Sequence, residues 1–292
     1  MKKITFTLFI LSILSCKNNE EKINTDLSGV LSKSLVHDSI SREYLVYIPN
    51  SYDAEIPTPV VMNFHGFGGL VNYYISEADM RSTADAENFV LIYPQGSQMN
   101  GVTHWNSYPT GGNNKSNADD LGFVEKMIEQ INTEYNIDNE RIYAVGYSNG
   151  GMMAYGLSRY KSDLIAAVAS VSGVMLDSGG TPNRPIPVLH LHGTSDGTIP
   201  YDGSGDYLSV QNVLEYWINF NNNSEPPTVD SDANGGMTIE HYVYGSGDNN
   251  VTVEHYKFIS GEHVWFNAIY KGKSTAVLIW DFFSKYDLNG SR

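Results

Sequence analysis

Short apolar segments of strand length recur along most of the chain and alternate with segments whose apolar positions have helical spacing. The segments that predict strands are 42–49, 59–64, 89–94, 142–145, 165–171, 186–192, 238–244 and 251–258. The segments that predict helices are 76–87, 119–135, 152–157, 208–219 and 274–286. Because buried strands that alternate with helices form parallel sheets covered on both faces, this pattern predicts an α/β fold with a mostly parallel sheet.

Two polar segments interrupt the alternation. Residues 96–117 are rich in Gly, Asn, Ser and Thr, and residues 221–236 are polar and contain Pro226-Pro227. We expect the first to be a long surface loop and the second to be a polar insertion. Since no repeat or linker divides the chain, we expect a single folded domain over residues 27–288.

The N-terminal segment has a different composition. Two lysines precede a largely apolar run over residues 4–14, which is too short to span a bilayer and suits a secretory signal. Cys16, the chain's single cysteine, follows Ile13-Leu14-Ser15 and resembles the lipobox cysteine of bacterial lipoproteins. We expect a signal peptide over 1–15 and a polar tether over 16–26 that begins at a lipidated Cys16. The alternative is a plain signal peptide with an incidental cysteine; both predict an exported protein, at the outer membrane or cell surface, or periplasmic or extracellular.

Acidic residues outnumber basic ones across the 292 residues. There are 33 Asp and Glu against 18 Lys and Arg, which gives a formal charge of −15. Such a surface repels nucleic acid, so we expect no nucleic-acid partner, and we expect membrane contact only through the lipid anchor. A chain of this length can bury a large core, so it needs no disulfide or structural metal.

The segment Gly146-Tyr147-Ser148-Asn149-Gly150 matches the pattern G-x-S-x-G between a predicted strand and a predicted helix. A chain that reverses from strand to helix at one residue strains that residue, and side chains at the flanking positions would collide, so glycine is needed there. The turn exposes the serine hydroxyl, and the start of the helix directs N–H groups toward it. We therefore predict that Ser148 is a nucleophile.

The same pattern occurs a second time at Gly193-Thr194-Ser195-Asp196-Gly197. Here Thr198-Ile199-Pro200 follows, and a proline at that position argues against an immediate helix. Ser195 is therefore the weaker candidate for the nucleophile.

A serine nucleophile needs a base, and the base needs an orienting acid. In folds with this strand–turn–helix motif the order along the chain is Ser, then Asp or Glu, then His. Asp196 follows a predicted strand at its carboxyl end, where active sites collect, and we predict that it is the acid. Asp202 and Asp206 are alternatives, and a plain turn aspartate is the other interpretation of Asp196.

Three histidines lie downstream of Asp196. His241 and His255 fall within predicted strands, whereas His263 lies in a loop just after the last predicted strand. We predict that His263 is the base. Because it must be neutral to accept the serine proton, activity should rise across roughly pH 6 to 8.

An oxyanion that forms at the serine needs two N–H donors. We predict that they are the backbone N–H of Asn149 and that of Phe67, in the glycine-rich segment His65-Gly66-Phe67-Gly68-Gly69. Trp105 and Trp265 can stack on an aromatic acyl group or a sugar, with core packing as an equal alternative.

Two further pairs of polar residues have simpler explanations than catalysis. Asp119 and Asp120 suit the N-terminus of a helix. His190 and His192 share a strand face, but no third ligand follows at useful spacing, so we predict no metal site.

Six segments occur in one order: Arg42-Glu43-Tyr44-Leu45-Val46-Tyr47-Ile48-Pro49, His65-Gly66-Phe67-Gly68-Gly69, Asp119-Asp120-Leu121-Gly122-Phe123-Val124, Gly146-Tyr147-Ser148-Asn149-Gly150-Gly151, His192-Gly193-Thr194-Ser195-Asp196 and Gly261-Glu262-His263-Val264-Trp265. Together they resemble the polyhydroxybutyrate depolymerase and feruloyl esterase branch of the α/β-hydrolases, which includes relatives of carbohydrate esterase family 1. The resemblance covers residues 27–288 and implies a single-domain α/β-hydrolase fold. Glu262 departs from it, standing where many relatives have glycine, and Phe266-Asn267 replace the usual Pro-Gly.

The resemblance implies secreted esterases that need no metal or cofactor. They cleave acyl groups from plant polysaccharide or hydrolyse short polyester chains. Our hypothesis is therefore a serine esterase that works through an acyl-enzyme. The alternatives are a serine peptidase of the same fold and a non-catalytic surface lipoprotein that binds polysaccharide.

Overall fold

The computed structural model describes residues 27–177, 179–234 and 236–292. The predicted signal peptide over 1–15 and the tether over 16–26, with Cys16, lie outside the described residues and stay predictions. No helix in the described ranges is both long enough and apolar enough to cross a bilayer.

The described residues form six α-helices, sixteen strands and one 3-10 turn, Asp248–Asn250. The helices are α1 Val71–Glu77, α2 Arg81–Glu87, α3 Asp120–Glu134, α4 Asn149–Tyr160, α5 Val210–Asn221 and α6 Thr275–Phe283. The strands are β1 Val30–His37, β2 Ile40–Tyr47, β3 Thr58–Phe64, β4 Val90–Pro94, β5 Ser97–Met99, β6 Val102–His104, β7 Ile137–Tyr147, β8 Ala167–Val171, β9 Val188–Gly193, β10 Thr228–Asn234, β11 Met237–Tyr244, β12 Val253–Phe258, β13 Ile269–Tyr270, β14 Lys273–Ser274, β15 Tyr286–Asp287 and β16 Gly290–Ser291.

Ten of these strands form one sheet in the order β1-β2-β4-β3-β7-β8-β9-β12-β11-β10. The six neighbours from β4 to β12 are parallel. At the two edges the pairings are antiparallel: β1 with β2 and β2 with β4 at one edge, and β12 with β11 and β11 with β10 at the other. The mostly parallel sheet expected from the sequence is thus confirmed. The carboxyl ends of the parallel strands lie together along one end of the sheet, where the loops after β7, β9 and β12 begin.

Helices cover both faces of the sheet. Along β7, Ile142 and Ala144 point into a core shared with α3, α4 and α5, whereas Tyr143 and Val145 point into a second core shared with α1, α2 and α6. All four side chains are fully buried. A central strand buried on both faces is continuously apolar, which explains why its sequence reads as an unbroken hydrophobic run.

Two segments predicted as single features differ in the structure. Residues 76–87 were expected to form one helix, but α1 ends at Glu77 and α2 begins at Arg81, whose N–H donates to Asp79 Oδ1 at 2.9 Å. Residues 221–236 were expected to be a polar insertion, but β10 occupies part of this segment at the edge of the sheet. An exposed edge strand buries little apolar surface, so it lacks the hydrophobic pattern that reveals a central strand.

The segment 96–117 is not a simple surface loop. It begins with the β5–β6 hairpin, and Trp105, Asn106 and Ser107 after the hairpin are at most 3% exposed. The Asn106 side-chain amide donates to the carbonyl oxygens of Ser116 and Ala118, so the segment closes on itself. Polar side chains that bond within the segment make a buried structure that composition alone does not distinguish from a solvated loop.

Candidate active site

Ser148 lies at the sharp turn between β7 and α4. Its backbone has φ 55° and ψ −118°, in the left-handed half of conformational space that strains a residue with a side chain. A side-chain carbon at Gly146 would lie 2.3 Å from the carbonyl carbon and oxygen of Gly150. The strain at the serine and the collision at its flanking positions, both predicted from the sequence, are present in the structure.

The structure brings Ser148, His263 and Asp196 together. His263 Nε2 is 3.0 Å from Ser148 Oγ, and His263 Nδ1 is 2.7 Å from Asp196 Oδ2. Because the carboxylate only accepts hydrogen bonds, Nδ1 carries the imidazole proton. In the neutral ring Nε2 is then the free acceptor, and it faces the serine hydroxyl.

Asp196 is held as a carboxylate by a full set of hydrogen bonds. Its Oδ1 accepts the backbone N–H groups of Thr198 and Ile199 at 2.9 and 2.8 Å, and its side chain is fully buried. Burial alone would raise the pKa of Asp196. The hydrogen bonds from His192, His263 and the two N–H groups outweigh burial and hold that pKa well below its usual range.

The alternative candidates lie in other settings. Asp202 and Asp206 are exposed, and Ser195 is exposed in the turn after β9. His241 bonds to Glu254 at 2.9 Å, and His255 bonds to the carbonyl oxygen of His190 at 3.0 Å.

The glycine-rich turn after β3 lies against the nucleophile. A side-chain carbon at Gly66 would be 3.1 Å from the Tyr147 ring and 3.4 Å from Ser148 Cβ. The N–H of Gly96 donates to His65 Nε2 at 2.9 Å, so His65 carries its proton on Nδ1, which donates to the Gly66 carbonyl oxygen at 2.6 Å. Burial lowers the pKa of His65 to about 4, so the ring that braces this turn is neutral.

Both tryptophans predicted to bind substrate are buried. Trp105 is 1% exposed and its indole N–H donates to the His65 carbonyl oxygen at 2.9 Å. Trp265 is 5% exposed and meets Tyr74 edge to face, with ring centroids 6.3 Å apart. Neither indole offers a face to a substrate, so stacking on a ligand is corrected to packing beneath the site.

Trp105 nevertheless connects the segment 96–117 to the site. Its backbone N–H donates to Asn149 Oδ1 at 2.8 Å, and its carbonyl oxygen accepts from Asn149 Nδ2 at 3.2 Å. The side chain of the residue after the nucleophile is therefore fixed by two hydrogen bonds to the backbone of the buried Trp105.

Sequence reasoning missed two contacts that hold the histidine loop. The Tyr147 hydroxyl donates to the carbonyl oxygen of His263 at 2.9 Å, and the two rings lie 5.1 Å apart. The Ser172 hydroxyl donates to the carbonyl oxygen of Val264 at 2.9 Å. Tyr147 belongs to the serine motif, but its contact spans 116 positions, so no local pattern reveals it.

The two aspartates before α3 have different surroundings. Asp119 caps α3, accepting the N–H of Gly122 at 3.0 Å, as predicted. Asp120 is fully buried and pairs with Arg42 at 2.6 Å, so its main contact is an ion pair and not the helix terminus.

The sequence is similar to a known protein family and to individual esterases. Residues 52–233 match the family described as phospholipase/carboxylesterase. A bifunctional acetylxylan esterase/xylanase from Neocallimastix patriciarum is 29% identical over 256 residues, which cover 85% of this chain and 34% of the relative. A probable feruloyl esterase C from Aspergillus niger is 26% identical over 244 residues, which cover 81% and 83%. The chain thus spans about a third of the length of the first relative and most of the second.

Solved structures share the fold at low sequence identity. An acetyl xylan esterase from Aspergillus awamori superposes with a TM-score of 0.63 at 15% identity, over 87% of this chain and 99% of the other. A ferulic acid esterase from Anaeromyces mucronatus, in complex with ferulic acid, superposes with a TM-score of 0.52 at 15% identity, over 88% and 90%. The resemblance to the feruloyl esterase branch is confirmed, and since the family match extends over more than half of the sequence, the chain belongs to the phospholipase/carboxylesterase family of α/β-hydrolases.

Proposed function

We propose that the protein is a serine carboxylic-ester hydrolase that works through an acyl-enzyme. Ser148 Oγ attacks the ester carbonyl carbon while His263 Nε2 takes the hydroxyl proton, and Asp196 orients the imidazole. The bond to the leaving alcohol breaks as His263 returns the proton to the alcohol oxygen. Water then attacks the acyl-enzyme by the same route, which releases the acid and restores the serine.

One observation carries the proposal. The serine hydroxyl, the imidazole and the buried carboxylate form a continuous hydrogen-bonded chain, with distances of 3.0 and 2.7 Å, on loops from β7, β9 and β12. The order Ser148, Asp196, His263 along the sequence is the one expected for this fold. Ser148 has a positive φ, and side-chain carbons at Gly146 and Gly150, two positions away on either side, would collide with backbone atoms, so glycine at both positions permits this turn.

The oxyanion would bind between the N–H groups of Asn149 and Phe67. Asn149 is the first residue of α4, so its N–H lies at the positive end of the helix. In the described part of the chain no protein acceptor takes the N–H of Phe67, whereas those of Gly68 and Gly69 are bonded to Thr103 and Gly66. Loss of one oxyanion donor typically raises the barrier by about 3 kcal/mol.

The substrate class follows from the relatives. We propose that the acyl group is a feruloyl or acetyl group on plant polysaccharide, with short polyhydroxyalkanoate-type polyester as the other substrate. Glu262, beside the catalytic histidine, is exposed and can contact the substrate. Phe266 stacks on Phe258 with centroids 3.8 Å apart, so that departure from the family pattern lies in the core.

Replacement of Ser148 by alanine tests the mechanism. Turnover of p-nitrophenyl acetate should fall at least about 10⁴-fold. Ser195→Ala is the matched control, since Ser195 belongs to the second G-x-S-x-G match, and it should keep its activity. Near-normal turnover by Ser148→Ala would refute the assignment.

Covalent labelling separates an enzyme from a binding protein. A fluorophosphonate probe should label the wild type and Ser195→Ala, but not Ser148→Ala, because labelling requires an activated serine. An unlabelled wild type would favour the non-catalytic alternative. A panel of methyl ferulate, acetylated xylan, hydroxybutyrate oligomers and a peptide amide then distinguishes the ester substrates from peptides.

We also propose that the protein is exported and anchored by lipid on Cys16. The support is the basic and apolar N-terminal sequence with its single cysteine. Metabolic labelling with a radioactive fatty acid should mark the wild type and not Cys16→Ser. A labelled Cys16→Ser protein would contradict the assignment.

A further inference from the structure

A second histidine approaches the carboxylate that orients His263. His192 is the last residue but one of β9 and is fully buried. Its Nε2 lies 3.2 Å from Asp196 Oδ2, the oxygen that also contacts His263, and 2.9 Å from the carbonyl oxygen of Ile199. Both oxygens are acceptors, so Nε2 carries a proton that lies between them.

The other side of His192 continues into a buried chain. His192 Nδ1 is 3.2 Å from His190 Nε2, and His190 Nδ1 is 2.7 Å from the Tyr155 hydroxyl of α4. The two imidazole planes differ by 11° and their centroids are 5.2 Å apart. Because the facing nitrogens are 2 Å closer than the centroids (5.2 against 3.2 Å), the rings meet edge to edge, and one proton fills the space between them.

Hydrogen-bond satisfaction fixes the direction of this chain. With His192 neutral, its Nδ1 accepts from His190 Nε2–H, and Tyr155 donates to His190 Nδ1. The reverse order requires a second proton on the buried His192. His190 Nδ1–H would then donate to the Tyr155 hydroxyl oxygen, which leaves the hydroxyl proton of this residue, 1% exposed, without an acceptor among the described residues. The donors therefore run from Tyr155 through His190 and His192 to the 196–199 turn.

We infer that His192 is a positioning residue for the reaction proposed above, and that Tyr155 and His190 fix the tautomer in which it works. The inference rests on the proposed function. The His192 Nε2–H joins the Asp196 carboxylate to the Ile199 carbonyl, so it fixes the rotation of the carboxylate that holds His263. It also draws negative charge away from the oxygen that faces His263 Nδ1.

In the described part of the chain, few titratable groups lie against His192 and His263. The titratable or charged groups that the structure places against His192 are His190, Asp196, His255, Tyr201 and Lys257, which is paired with His192 on the neighbouring strand β12. Those that it places against His263 are Asp196 and Tyr147. Of the groups named here, only His192 and His263 lie within hydrogen-bond distance of Asp196 Oδ2. A substitution at His192 therefore affects His263 through that oxygen.

Two variants of His192 test the inference. His192→Phe keeps a planar ring, somewhat larger than the imidazole, and removes the donor, whereas His192→Gln keeps both a donor and an acceptor. For His192→Phe we expect kcat to fall about 10- to 100-fold with KM unchanged. We also expect the acid limb of the pH profile of kcat/KM to move to higher pH, because the carboxylate holds the imidazolium more strongly. His192→Gln should restore most of kcat and the wild-type acid limb.

If His192→Phe does not fold, a pair of tyrosine variants tests the same inference. Tyr155→Phe removes the first donor of the chain. Tyr143→Phe removes a buried hydroxyl that bonds to the Tyr286 carbonyl oxygen at 2.7 Å and does not join the chain, so it is the matched control. We expect Tyr155→Phe to lower kcat and move the acid limb in the same direction as His192→Phe, and Tyr143→Phe to do neither.

The outcomes separate this inference from the proposed function. If the fluorophosphonate probe fails to label Ser148 in the wild type, the proposed function fails. If Ser148 is labelled but His192→Phe and Tyr155→Phe keep the wild-type acid limb, only the inference fails, even if both lose stability. An unchanged kcat in folded His192→Phe overturns the inference as well.

Discussion

A side-chain carbon at Gly150 would lie 2.0 Å from the carbonyl oxygen of Phe64. Phe64 ends β3, and the turn after it carries Phe67, whereas Gly150 follows the nucleophile by two positions. The serine turn and the proposed oxyanion turn therefore touch backbone to backbone. Glycine at position 150 is what lets the two halves of the site approach each other.

Gly150→Ala should damage both stability and catalysis. The new carbon must push β3 and α4 apart, and overpacking of this kind costs about 1–3 kcal/mol of the free energy of unfolding. Urea unfolding and turnover of p-nitrophenyl acetate measure the two effects. Gly245→Ala is the control, because a carbon there meets nothing within 4 Å. Equal behaviour of the two variants would show that the contact does not position the site.

Asp196→Asn should preserve the fold of the site and remove the activity. Asp196 Oδ1 accepts two backbone N–H groups, so the amide oxygen takes that place and the NH₂ group faces His263 Nδ1. His263 then presents a bare Nδ1 to the amide and its proton to Ser148, so it can no longer act as a base. We expect kcat to fall about 10⁴-fold. Asp202→Asn and Asp206→Asn, at the exposed alternatives, should keep their activity, and a comparable loss in either would contradict the choice of acid.

The sequence predicted the parts of the molecule that obey local rules. Buried central strands are apolar on both faces, so β3, β4, β7, β8 and β9 stand out as hydrophobic runs. The turn at Ser148 is also constrained by local sterics, and the glycines that these sterics require are visible in the sequence. The three residues that meet at the site were predicted in advance because the fold class orders them along the chain.

Other features depend on tertiary contacts that leave no local pattern. Trp105 lies in a polar segment, and only the folded chain shows that its indole packs under the turn at His65. The contact between His192 and Asp196 is local in sequence, but its direction depends on Tyr155 from another element. Edge strands such as β1 and β10 bury too little to be recognised from hydrophobicity.

Arg42→Met should lower the free energy of unfolding and disturb the segment around Asn106, which lies next to the site. Arg42 is 4% exposed and pairs with the fully buried Asp120, whose Oδ2 also accepts the backbone N–H of Asn106 at 2.7 Å. Removal of one partner of a buried pair leaves an uncompensated charge and costs about 3–5 kcal/mol. The Asp120→Asn change in the same background should recover part of that loss. Lys126→Met, at an exposed ion pair, should leave Tm unchanged, and no added recovery in the double variant would contradict the ion-pair account.

Two buried histidines predict acid sensitivity. Burial lowers the pKa of His65 to about 4 and that of His255 to about 3. In the unfolded chain both histidines have a pKa near 6.5. As the pH falls below that value, the unfolded state therefore binds protons that the folded state does not bind. The stability due to each neutral ring is therefore fully present above about pH 6.5 and is lost as the pH falls toward the folded pKa.

Urea unfolding at pH 7 and pH 5 measures this effect. At pH 5, the His255 shift corresponds to about 2 kcal/mol of lost stability relative to pH 7. His255→Gln, which cannot titrate, should therefore show a difference between the two pH values that is smaller than that of the wild type by about that amount. The comparison within each variant cancels any direct effect of the substitution. If the wild type and the variant lose the same stability between pH 7 and pH 5, His255 binds its proton equally well in the folded and the unfolded protein, and burial does not hold the ring neutral.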